Sequence, residues 1–189
     1  YYNKSADNFA KTTIDVNFYE TQKHFQELLP EHGYILDFGC GSGRDTKYFL
    51  EQGFYVDATD GSEEMCHIAS NYTGIQVRRL LFEELDENKK YDGIWACSSI
   101  LHLPKNELKA VFMKMFKALK EDGIIYTSFK YGDFEGERNG RYFTDFTEKT
   151  FEEFVGEIDN LQLKEEWITG DVRPGRGEEK WLNVILQKN

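Results

Sequence analysis

The stretch Asp37-Phe38-Gly39-Cys40-Gly41-Ser42-Gly43-Arg44 constrains this chain more than any other. It ends an apolar run, residues 34–38, and opens a helical pattern over residues 44–52 that Gly53 closes. Glycines at alternate positions let the backbone turn sharply and let a ligand approach the main chain. Strand, glycine loop and helix in that order suit the first unit of a nucleotide-binding α/β sheet. The alternation continues. Residues 54–59, 75–79, 91–97 and 123–129 read as further strands, and residues 62–71 as a second helix. In the clearest helix, Leu108, Val111, Phe112, Met115, Phe116 and Leu119 share one face of a 3.6-residue period. Lys105, Lys109, Lys114, Lys117 and Lys120 fill much of the remainder, and read as a solvated face rather than a docking surface. Repeated strand and helix imply a parallel sheet covered on both faces. The end of the chain differs: residues 160–169 and 180–187 look like strands joined by a loop alone, which predicts an antiparallel hairpin. The first thirty residues are polar and aromatic and read as one or two helices stopped by Pro30.

Composition narrows the function. The 189 residues are 40% hydrophobic and 15% aromatic, enough for a full core in one domain. We expect a single domain over residues 1–189, with a helical lid at 1–30 and a Rossmann-like core at 31–189. The net charge of -11 opposes phosphate backbones and anionic membrane surfaces, so neither nucleic acid nor membrane is an expected partner. No apolar run approaches bilayer length, and no charged segment with a signal-type apolar core opens the chain. The cysteines, Cys40, Cys66 and Cys97, are odd in number and lack C-x-x-C spacing. No disulfide framework and no metal site is expected, and a reducing cytoplasm is the natural location.

Asp60 lies 17 residues after Gly43, at the end of the second strand. An acid there can accept hydrogen bonds from both hydroxyls of a ribose. The loop and this acid together point to a nucleoside cofactor. A dinucleotide would set its pyrophosphate against the helix N-terminus. The carboxylate of Asp37, two residues before the first glycine, disfavours that charge and favours a cationic amino-acid moiety.

With these residues in view, the chain resembles the class I S-adenosylmethionine-dependent methyltransferases over most of its length. Residues 37–43 are similar to that family's first motif, Val56-Asp57-Ala58-Thr59-Asp60-Gly61-Ser62 to its second, and residues 91–97 to its fourth-strand motif. Among subgroups it looks most like the tellurite-resistance-type small-molecule methyltransferases. The resemblance implies a seven-stranded doubly wound sheet in the order 3-2-1-4-5-7-6, the last strand antiparallel. It also implies S-adenosyl-L-methionine as cofactor and S-adenosyl-L-homocysteine as product. By position, Gly39, Cys40 and Gly41 would pass under the methionine part, with Asp37 by its ammonium and Arg44 by its carboxylate. Asp60 would hold the ribose. Gly61, Ser62, Met65, Phe82 and Glu83 would flank adenine, while Cys97 and Ser98 would face the sulfonium. One position departs: where many members place an acid for the adenine amino group, this chain has Leu81.

The implied reaction is in-line displacement at the sulfonium methyl, in which the protein mainly aligns the acceptor and excludes water. His102, after the fourth strand, is the candidate to deprotonate or orient that acceptor. A structural loop histidine is the alternative. Four of the seven arginines, Arg138, Arg141, Arg173 and Arg176, fall in two stretches at the carboxyl end of the sheet. Two readings stay open: a pocket, with Tyr142, for an anionic small molecule, or surface pairs neutralised by Glu135, Glu137, Glu178 and Glu179. Tyr142, Phe143, Phe146, Tyr1, Tyr2, Phe9 and Tyr19 are candidates to roof the site. Rival functions are a nicotinamide-dependent oxidoreductase and a non-catalytic cofactor-binding regulator. Acceptor identity and oligomeric state are not written in these residues.

Overall fold

Two periodicities organise the chain, and the computed structural model, which describes Asn8 and residues 11–173 and 175–189, shows how they combine. Tyr1, Tyr2 and Phe9 of the expected roof lie outside the described residues. Helix α1 (Tyr19–Glu27) leads into β1 (Tyr34–Phe38), the glycine loop, α2 (Arg44–Glu51), β2 (Tyr55–Asp60), α3 (Glu63–Thr73) and the two-residue β3 (Arg78–Arg79). Then follow β4 (Tyr91–Ala96), α4 (Lys105–Ala118) and β5 (Leu119–Lys130). A small hairpin, β6 (Glu135–Arg138) and β7 (Arg141–Thr144), precedes α5 (Glu148–Val155), β8 (Leu161–Gly170) and β9 (Lys180–Lys188).

The seven-stranded sheet has the order β3-β2-β1-β4-β5-β9-β8. β1 pairs in parallel with β2 and β4, and β9 runs antiparallel to both β5 and β8. This is the expected order and the expected terminal hairpin. Successive strand residues feed opposite faces. Leu36 and Ile94 join Leu108, Phe112 and Met115 on one side, whereas Ile35, Trp95 and Tyr126 join Phe25 and Phe49 on the other. Each of these side chains is essentially fully buried, an environment that stabilises by roughly 1.5–3 kcal/mol per large apolar side chain. Gly93 lets α1 lie close: a Cβ there would stand 2.7 Å from the Phe25 ring.

The lysine face of α4 is solvated and paired, as in Lys109–Glu157 and Lys117–Asp86. The hairpin β6–β7 and helix α5 add to the alternation of strands and helices expected above. All parallel strands end at one edge of the sheet. The order reverses between β1 and β4, which opens a crevice there.

Candidate functional site

A cavity of about 1300 Å³ occupies that crevice. Its floor is the glycine loop. Gly39, Gly41 and Gly43 have φ of 82°, 55° and 85°, a region that favours glycine. The amides of Gly39 and Cys40 both donate to the Thr59 carbonyl at 2.9 Å, which ties the loop to the end of β2. A Cβ at Gly39 would lie 2.5 Å from the Ser99 Cβ, so the glycine is also required by the residue packed against it.

Asp60 emerges beside the loop. Its two carboxylate oxygens accept from the Gly41 and Ser62 amides, each at 2.9 Å. Burial pushes this carboxyl up, and the amide bonds from Ser62, Gly41 and Gly61 work against that shift. Ser62 caps α3 by accepting from the Met65 amide. Gly61, Ser62, Met65 and Phe82 all line the cavity. Glu83, expected beside them, is exposed and absent from the wall. In the tight turn Phe82–Glu84 successive side chains splay apart, so only Phe82 is turned inward, its ring edge-on to Phe38.

Asp37 also departs from its expected place. Its carboxyl lies under the loop, accepts the Thr46 hydroxyl at 2.5 Å, and does not reach the cavity wall. Burial, reinforced by the neighbouring Asp45, holds it well above the usual carboxylate range. Arg44 does stand on the wall, but its guanidinium is paired with Asp45, through Nε at 2.8 Å and Nη2 at 2.9 Å.

Cys97, Ser98 and Ser99 form the opposite side. The Ser98 amide donates to the Ser128 hydroxyl at 2.9 Å, and the Ser99 hydroxyl donates to the Phe38 carbonyl at 2.7 Å. Burial pushes the Cys97 thiol up to about 12 and the Cys40 thiol well above its ordinary value. Both are protonated near neutral pH and poor nucleophiles. His102 lines the cavity edge-on to Phe143, its Nδ1–H donating to the Tyr142 carbonyl at 2.8 Å. Desolvation pushes its pKa down to about 4, with Arg141 and Lys130 adding to the fall. The ring is therefore neutral at pH 7, with its proton on Nδ1 and an acceptor lone pair on Nε2.

The arginine stretches do converge: Arg138, Arg141, Arg173 and Arg176 all line the cavity. For Arg138 and Arg173 the partners differ from the expected glutamates, whereas the charge of Arg176 does act on Glu179. Arg138 is bonded to Asp145 and lies over the rings of Phe134 and Phe143. Arg173 forks onto the buried Asp171, which also accepts from the Trp181 indole at 3.1 Å. Glu179 pairs with Lys130, and Glu135 with Lys105. Tyr142 does not line the cavity: strand alternation turns Arg141 and Phe143 inward and sends the Tyr142 hydroxyl outward to Glu135. Phe146 is buried in the core and Tyr19 packs on Tyr48 at the surface, so neither roofs the site. Thr13, Val16 and Phe18 of the N-terminal segment do line it. Phe143, a candidate for the roof, does line the cavity, and Ser99, Leu101, Ser128 and Asn183 are further wall residues whose place no local sequence signal marks. Among the described residues no cluster of His, Cys, Asp or Glu is arranged to hold a metal ion. No described helix is long and apolar enough to cross a membrane.

Comparison with known proteins bears on this geometry. The family described as "Methyltransferase domain" matches residues 35–123, which span β1 through the start of β5 and include the loop, Asp60 and His102. Residues 35–123 match that family, and the sheet around them has the class I methyltransferase fold. YqeM of Bacillus subtilis (strain 168), a candidate methyltransferase by its name, is 33% identical over 122 residues, 59% of this chain and 49% of that protein. The chain spans about half the length of the first curated relatives it matches. Among solved structures, the Burkholderia thailandensis 1,6-didemethyltoxoflavin-N1-methyltransferase, with its acceptor and S-adenosylhomocysteine bound, superposes with a TM-score of 0.78 at 24% identity. That match covers 98% of this chain and 84% of the other. A TehB-like S-adenosylmethionine-dependent methyltransferase of Corynebacterium glutamicum gives 0.75 at 19% identity, over 98% and 99%. At these identities the structural likeness establishes the methyltransferase fold.

Proposed function

We propose that this chain is an S-adenosyl-L-methionine-dependent methyltransferase acting on a small-molecule acceptor. The observation that carries the reading is Asp60, set at the end of β2 beside a backbone cradle in a cavity large enough for a cofactor and an acceptor together. The donor set fits a cationic nucleoside: the carboxylates of Asp45 and Asp60 lie at the loop, against the single guanidinium of Arg44. The same two carboxylates oppose a pyrophosphate, which disfavours the nicotinamide alternative. When bound, the cofactor supplies an activated methyl group and its own leaving group. Gly39, Cys40 and Gly41 would support its amino-acid portion through the main chain, and Arg44 would take its carboxylate. Asp60 would take the ribose hydroxyls, with Met65 and Phe82 bracketing the base. Cys97 and Ser98 would contact it through backbone groups and side-chain packing.

His102 acts on the acceptor side. Its Nε2 lone pair accepts a proton or a hydrogen bond from the incoming group, and Tyr142 fixes the tautomer through Nδ1. Arg141 and Arg176 meet an anionic group on the acceptor, while Arg138 and Arg173, paired with Asp145 and Asp171, hold the wall in shape. The core at 31–189 and the described residues before it would act as one unit, with Thr13, Val16 and Phe18 covering one side of the cavity. Three free cysteines support a cytoplasmic location, and the acidic balance argues against nucleic acid as acceptor. Tellurite-resistance-type chemistry stands first among acceptor classes to try, because the motif resemblance pointed there.

The test is a labelled-methyl screen of extracted metabolites, with oxyanions added as separate arms. We expect a small, anionic labelled product that mass spectrometry can identify. Arg141→Ala and Arg176→Ala should raise acceptor KM at least tenfold with cofactor affinity kept within twofold. Equal loss of both affinities would refute the anion pocket. Tight cofactor binding without transfer to any acceptor would favour a regulatory role.

A further inference from the structure

Asp45 lies one residue beyond the guanidinium it holds, inside the first turn of α2, and is nearly inaccessible to solvent. A buried carboxylate must be matched by donors to stay ionised. Asp45 is matched completely. Oδ1 accepts from Arg44 Nε at 2.8 Å and from the Gln22 side-chain amide at 2.7 Å. Oδ2 accepts from Arg44 Nη2 and from the Trp95 indole, both at 2.9 Å. Desolvation opposes the charged form, but the Arg44, Trp95 and Gln22 donors together outweigh it and keep the pKa below the ordinary value.

These bonds arrest a side chain that would otherwise be mobile. The Arg44 guanidinium is clamped edge-on by Asp45 and lies over the Phe18 ring at 4.9 Å. Two of its nitrogens are spent on Asp45, and among the described residues no hydrogen-bond acceptor meets Nη1. A guanidinium held this way presents its remaining donors in one fixed direction. Gln22 is itself buried, and it reaches this knot from α1, which precedes the sheet entirely. Nothing in β1 or the glycine loop supplies an equivalent donor to Asp45.

We propose that Gln22 and Asp45 are positioning residues, through which the docked N-terminal helix sets Arg44 for the carboxylate of the cofactor. The inference rests on the functional reading above, in which Arg44 takes that carboxylate. Removing the Gln22 donor leaves Asp45 Oδ1 short of a partner. The carboxylate then pulls the guanidinium toward itself, and Arg44 loses its set. The helix and the cofactor are thereby coupled: cofactor binding favours a docked α1, and an undocked α1 weakens binding.

Calorimetry with two ligands separates this from a general structural effect. S-adenosylhomocysteine carries the carboxylate; 5′-methylthioadenosine shares the nucleoside and lacks the amino-acid portion. In Gln22→Met, which keeps the side-chain volume, we expect S-adenosylhomocysteine to bind about tenfold more weakly and methylthioadenosine to stay within twofold. Asp45→Asn should show the same selective loss, and Gln22→Glu, which adds a second carboxylate, a larger one. Arg44→Ala should abolish the discrimination and make the Gln22→Met effect disappear on its background. Equal weakening of both ligands, or an undiminished effect on the Arg44→Ala background, would overturn the proposal. Failure of the unaltered protein to bind either ligand would instead overturn the cofactor assignment on which it rests.

Discussion

Gly39→Ala perturbs the floor of the cavity by a single methyl group. Two costs follow from the structure. The backbone at φ 82° is left-handed, where a side chain costs about 1–2 kcal/mol. The new Cβ would also stand 2.5 Å from Ser99 Cβ and 3.2 Å from the Phe82 ring, an overpacking worth roughly 1–3 kcal/mol. Ser99 has no easy retreat, because its hydroxyl is bonded to the Phe38 carbonyl at 2.7 Å. Together the losses come to about 2–5 kcal/mol. At about 2–4 °C per kcal/mol for a chain of this size, the melting temperature should fall by about 4–20 °C. Ser99→Gly alone removes one hydrogen bond, about 1 kcal/mol. In the double variant the Ser99 clash is gone while the backbone cost and the lost hydrogen bond persist, so the two changes should be less than additive by about 1–3 kcal/mol. Urea melts of all four proteins measure that coupling. Strict additivity, or a Gly39→Ala melt unchanged from the parent, would refute the close-approach account.

Three further outcomes follow from the buried titratable groups and the hairpin. Asp37 keeps its proton in the fold while the unfolded chain ionises above about pH 4, so the folded state binds more protons and stability falls as pH rises from there toward neutrality. Asp37→Asn should flatten that decline; an unchanged pH–stability profile would contradict it. His102 has the opposite sense: with its folded pKa near 4, its contribution is present above about pH 6.5 and is lost as pH falls from there toward 4. His102→Gln should remove that acid-side slope and lower acceptor turnover while sparing cofactor affinity, read from stability curves and single-turnover rates. Asn139 and Gly140 both occupy left-handed backbone at the hairpin turn. Replacing both with alanine should loosen β6–β7, raise acceptor KM and leave binding of S-adenosylhomocysteine within twofold; equal effects on both would argue against a hairpin wall on the acceptor side.

Much of this architecture is legible in the chain because its signals are local. The run into Gly39, the period-3.6 face from Leu108 to Met115 and the acid at position 60 each encode an element or a place without help from distant residues. Signals that depend on geometry across the sheet were less readable. Asp37 looks like a ligand-facing acid from its distance to the glycines, yet strand alternation buries it against Thr46. Glu83 and Tyr142 lie beside residues that do face the cavity, and a turn or a pleat sends them outward. The arginines gather at the carboxyl edge that their two stretches suggest, but Arg138 and Arg173 pair with Asp145 and Asp171 rather than with the nearby glutamates. The hairpin β6–β7 did carry a sequence signal. Asn139-Gly140 is the two-residue turn that right-twisted strands favour. The Gln22–Asp45 bond spans 23 residues, and no local pattern announces it.

Titration calorimetry of the unaltered chain and of Asp60→Ala with S-adenosylhomocysteine, and with NAD in parallel, tests the central claim most directly. The account predicts one molecule of S-adenosylhomocysteine bound per chain, at least about 100-fold weaker binding once two charge-assisted bonds to the ribose are lost, and no heat from NAD. Saturable binding of NAD, or affinity for S-adenosylhomocysteine that survives loss of the Asp60 carboxylate, would contradict it.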